Sequence, residues 1–198
     1  MTPDSISDLV LFLVCAAIVH RCWLRNEGEA ALGLAGMLIG TASMLGVMRF
    51  SSWAALVDVV KGAHQFASIF AAVGGFPLLA IGILRPESSI ARYRAGAWWC
   101  AFVIGGIGMA IWLLGFKPWA QTVPALCGIW MLAAIRHKPA GRDRNVLMIG
   151  LALLFMSFAA VLSFPAASRV QPVHYSLAMA LSLLVLVRSH LAPARTTH

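Results

Sequence analysis

Long apolar runs alternate with short polar punctuation along this chain. Bounding each run at Arg, Lys, Pro or Glu gives Ile6–Leu24, Ala30–Phe50, Ala63–Leu84, Ala95–Phe116, Trp119–Ile135, Val146–Phe164 and Val173–Val187. A bilayer core of about 30 Å takes roughly 20 apolar residues per helix. The runs are continuous rather than alternating with a period of two, so they predict spanning helices and not barrel strands. The fold class expected is therefore all-α, one polytopic domain over residues 1–198 with seven transmembrane helices. No Lys or Arg precedes the first run, and Asp4 and Asp8 stand where a leader would carry basic residues. That run is expected to be a retained helix.

Polar positions refine the picture. Trp53, Leu56, Val57 and Val60 share one face of SSWAALVDVVKG, which predicts either a short interfacial helix over 52–61 or an extension of the third span. Within the second run Gly33, Gly36, Gly40 and Ser43 recur at helical spacing, a stripe that lets another helix approach closely. Ser88 or Ser89 is expected to cap the turn before the fourth span. Residues 189–198 form a polar tail, expected to be mobile.

Composition confirms the class: 61% of residues are hydrophobic and 11% charged, with a mean hydropathy of +0.86. The net charge of +8 would suit nucleic acid, but its distribution follows the positive-inside rule instead. With the N-terminus outside and the C-terminus inside, the inner segments hold Arg21 and Arg25, then Arg85, Arg92 and Arg94, then Arg136, Lys138, Arg142 and Arg144, then Arg188 and Arg195. Only Arg49, Lys61, Lys117 and Arg169 are left outside. Lipid, rather than nucleic acid, is the expected partner, and a bacterial-type inner membrane the expected location. The Gly and Ala faces also suit contact with other membrane subunits or a homo-oligomer. Cys15, Cys22, Cys100 and Cys127 form no CxxC pair and read as small buried thiols.

Ionisable groups inside spans are costly and tend to line a cavity, and here they gather at the outer end. His64, Ser68, Ala71 and Gly75 share a mostly small face of the third span, and His174, Ala178 and Ser182 share one of the last. Both histidines are thus expected to point inward at similar depth, near Asp8, Arg49 and Asp58. The leading expectation is a helical scaffold or accessory subunit of a membrane complex with a ligand site at this end. One alternative is a haem b protein with His64 and His174 as axial ligands and Arg49 on a propionate. Another is a zinc or other divalent site using His64, His174 and a carboxylate, Asp58 or Asp8, for hydrolysis of a lipid or amide. In helix count and residue types this resembles the heptahelical hydrolases grouped with alkaline ceramidases and the adiponectin and progestin receptors. Their last helix carries an HxxxH pair, whereas here Ala178 follows His174 by four residues and Val170 precedes it by four. A retinal protein is excluded, because the last helix has no lysine for a Schiff base.

Overall fold

A computed structural model describes residues 2–25, 29–51, 57–137, 142–163 and 170–191. Among them the chain is helical and contains no strand. Helix α1 (Pro3–Val19) continues through a π turn, His20–Leu24, and α2 spans Ala30–Phe50. Helix α3 (Val57–Phe70), a second π turn (Ala71–Gly75) and α4 (Phe76–Leu84) form one long rod. The short α5 (Ser89–Arg92) precedes α6 (Arg94–Leu113), α7 (Trp119–Arg136), α8 (Arg142–Ser163) and α9 (Val170–Leu191). Residues 57–61 belong to the long rod, while 52–56 and 192–198 lie outside the described residues. The last helix runs to Leu191, past the Val187 boundary expected from hydropathy.

Among the described residues four helical stretches are long and apolar enough to cross a membrane: Pro3–Leu24, Ala30–Phe50, Val60–Leu84 and Arg94–Leu113. Arg144–Phe158 within α8 and Val173–Arg188 within α9 are shorter apolar stretches. In α7 the polar Gln121 and Thr122 and the internal Pro124 interrupt the apolar run. The exterior suits lipid contact, with Trp99, Phe102 and Ile107 of α6 and Leu126 and Ile129 of α7 all more than half exposed. The interior is built mainly from Leu, Ile and Ala side chains, with serines among them. Buried Ser43 and Ser157 donate to carbonyls of their own helices, Ile39 O at 3.0 Å and Leu154 O at 2.7 Å. Such hydroxyls meet the rule that buried polar groups find partners.

Helix packing follows the glycines. Gly36 and Gly40 of α2 lie against Ile18 and Cys15 of α1, so the small stripe legible in the sequence serves the α1–α2 contact. Gly74 in the second π turn meets Gly105 of α6, and Gly105 in turn leaves room for the Phe70 ring. The π turn itself has a local cause. Pro77 cannot donate to Val73 O, and its ring would clash with that carbonyl in a regular helix. Widening the preceding turn relieves the clash, and the Phe76 N–H donates to Ala71 O.

Away from the π turns, α1 packs on α2 and α9, α8 on α9, and α7 on α4 and α8. Buried Ser182 Oγ donates across helices to Gly150 O at 2.9 Å. Ser182→Ala is expected to cost about 0.6–1.7 kcal/mol, the range of interhelical hydrogen bonds in membranes, read from reversible unfolding in mixed micelles. As expected, a serine caps the turn before α6: Ser88 Oγ accepts from the Ala91 N–H at 3.1 Å. At that end Arg94 donates to Trp23 O and lies over the Trp23 ring, 4.9 Å from its centroid. The Trp23 ring meets Trp98 edge to face at 6.5 Å.

A candidate polar site at one end of the bundle

The functional geometry sits at the end where α1, α3, α7 and α9 begin and α2 finishes. Thr2 caps α1 by accepting from the Ser5 N–H, and its hydroxyl donates to Phe50 O at 3.0 Å. That bond ties the start of α1 to the end of α2 and fixes their register. One turn into α1, the Asp8 side chain turns into the bundle and is only 7% exposed. The Ser176 hydroxyl of α9 donates to its Oδ1 at 2.5 Å. Facing it, His64 of α3 accepts at Nδ1 from Arg49 Nη1 at 3.1 Å. Arginine has only donors, so this bond leaves Nδ1 unprotonated and puts the imidazole proton on Nε2.

Gly46 of α2 joins the two halves. A Cβ there would overlap the Asp8 carboxylate, Oδ2 foremost, and lie 3.2 Å from His64 Nε2. Asp8 Oδ2 and His64 Nε2 therefore converge on one backbone position that has no side chain. No direct hydrogen bond joins them among the described residues, yet one oxygen atom placed between them can reach both. Around this point lies a cavity of about 250 Å³ whose polar lining comes from Asp8, Ser43, His64, Ser68, Tyr175 and Ser176. Its apolar walls include Ile39, Phe50 and Phe76, and the π-turn residues Ala71 and Ala72. Phe50 also stands edge-on to His64 at 6.1 Å and carries the Arg49 guanidinium 5.2 Å above its ring.

The residues singled out from sequence fare differently. Asp8 and His64 line the cavity, and Arg49 reaches it through His64. Asp58 lies in α3, with its side chain outside the described residues. His174 corrects the expectation of an inward histidine: it is exposed and does not line the cavity. Residues four apart drift by about 40° around a helix, so the row His174, Ala178, Ser182 winds from the exterior to the buried face. The cavity instead receives Tyr175 and Ser176.

Of the two histidines, His64 lines the cavity and His174 does not. Among the described residues no group of three or more His, Cys, Asp or Glu stands close enough to hold a metal ion. Gly46 was the other unread position. It extends the stripe of Gly36, Gly40 and Ser43 by one more helical step, a signal open to inspection. Ser176 has no comparable signal.

The chain matches no protein-family model, no curated protein and no solved structure.

Proposed function

We propose that this chain is a multi-pass inner-membrane protein of seven spanning helices, N-terminus outside and C-terminus inside, that acts as an accessory or scaffold protein and holds a polar ligand at its outer end. The observation that carries the ligand reading is the convergence of Asp8 Oδ2 and His64 Nε2 on Gly46. Each of these groups is oriented by a partner from another helix, Ser176 for Asp8 and Arg49 for His64. An acceptor and a donor fixed in this way beside an open volume are preorganised to bind, since little ordering cost remains when a ligand arrives. A purely packing role would be served as well by apolar side chains, without the cost of placing a carboxylate in a membrane span.

The scaffold part of the reading is supported by the exposed apolar faces of α6 and α7. The glycine stripe of α2, by contrast, is taken up within the chain. Any partner subunit therefore meets the Trp99, Phe102 and Ile107 face of α6 rather than that stripe.

Native mass spectrometry of protein released gently from membranes tests the ligand reading. A retained adduct of constant mass is expected in the wild type, and its loss in both His64→Leu and Asp8→Leu. A wild type without an adduct, or an adduct that survives both substitutions, overturns it. Reporter fusions after Arg25, Arg136 and the C-terminus test the topology. Each is expected to report the cytoplasmic side, and an external C-terminus would refute the seven-span reading.

A further inference from the structure

A second cavity, of about 190 Å³, adjoins the first. It is lined by Ala120, Gln121, Pro124 and Ala125 of α7, and by Phe158 of α8. Ala72 and Tyr175 line both cavities, so these two side chains form the wall between them. The second chamber is apolar except at Gln121, which is exposed, and at Tyr175, which it shares with the first. A cavity that gathers an acceptor and a donor at one point and shares a wall with an apolar chamber is matched by a molecule with a polar head and an apolar tail.

The head chemistry follows from the two groups that converge on Gly46. His64 Nε2 carries a proton and donates, because Nδ1 is occupied as an acceptor by Arg49. Asp8 Oδ2 accepts, while Oδ1 is already engaged by Ser176. A group that bridges them must accept one hydrogen bond and donate another. A carboxylate cannot donate to Asp8, an ammonium cannot accept from His64, and an ether or ketone lacks the donor. A hydroxyl does both with a single atom.

We infer that the two chambers form one site for a long-chain alcohol, its hydroxyl bridging His64 Nε2 and Asp8 Oδ2 and its chain passing between Ala72 and Tyr175 into the chamber beside Pro124 and Phe158. This rests on the ligand reading above and names the ligand class for that site.

The test uses the full chain in nanodiscs, with uptake by protein-free nanodiscs subtracted. Radiolabelled 1-decanol is expected to bind saturably, one per protein. Decyl methyl ether, which lacks the donor, is expected to bind at least about tenfold more weakly, the cost of one hydrogen bond to a charged acceptor left unmade. Corrected affinity is expected to rise from 1-butanol to 1-decanol. Ala125→Leu, which fills the second chamber and leaves the first alone, is expected to weaken decanol by about tenfold and butanol by less than about twofold.

The chain-length series in the wild type decides the tail even if that variant fails to fold. Saturable binding that depends on Asp8 and His64 but is flat with chain length overturns the tail while leaving the ligand reading intact. No saturable uptake of any alcohol, with the adduct of the previous test still present, overturns the alcohol and leaves a different polar ligand. Equal binding of the ether overturns the hydroxyl bridge. Absence of both alcohol binding and adduct removes this inference together with the reading it rests on.

Discussion

Gly46→Ala is expected to dismantle the polar site and to destabilise the bundle by about 2–4 kcal/mol, combining overpacking with the loss of a hydrogen bond to a charged group. The added methyl would fall on the Asp8 carboxylate and within 3.2 Å of His64 Nε2. Asp8 cannot retreat along its own helix. Its carboxylate is held by Ser176 from α9, and α1 is tied to α2 through Thr2 and Phe50. Relief therefore requires breaking the Ser176 bond or separating α1 from α2. A double-mutant cycle isolates the cause. In an Asp8→Ala background the methyl meets a shortened side chain, and the cost of Gly46→Ala is expected to fall to within about 1 kcal/mol of zero. Reversible unfolding in mixed micelles supplies all four stabilities. Additive costs would show that Gly46 and Asp8 do not meet.

The second large effect concerns two glycines of one helix that look alike in the sequence. Gly108→Ala places a methyl 2.6 Å from Val73 Cβ and 2.8 Å from its Cγ2. Val73 is fully buried, and a β-branched side chain has little rotameric freedom in a helix. The backbone of α6 must then move off the π turn, at an expected cost of about 1–3 kcal/mol. Gly106→Ala, two residues earlier, meets nothing within 4 Å. Removing an entropically costly glycine there is expected to be neutral or to stabilise by up to about 1 kcal/mol. The two variants should thus separate by about 2 kcal/mol in opposite directions, the difference between overpacking and helix propensity. Equal melting temperatures in detergent would contradict the close approach of α6 to the π turn.

These two cases also mark how far the sequence reads into the site. Asp8, Arg49 and His64 were legible because ionisable groups are rare in this chain and each stands at the edge of an apolar run. His64 was placed inward by the small residues sharing its face, and the cavity lies there. The same argument misdirected His174. Its face was judged from residues four and eight positions further on, and the angular drift carries an exposed residue to a buried one over that distance. Helix propensity and hydropathy do not fix the rotation of a helix about its axis to better than that drift.

The amino-acid sequence by itself determined the all-helical class, the apolar runs that become these rods, the serine cap before α6 and the close-packing stripe of α2. Each of these depends on the order of side chains along one helix, where spacing alone states the physics. Tertiary structure decided which helix meets which, and with it that Ser176 rather than His174 faces Asp8. It also decided that Gly46 leaves the gap between acceptor and donor, and that Ala72 and Tyr175 divide two chambers. Those relations join residues on different helices, up to 168 positions apart. Packing between rods sets them, and no local pattern encodes it.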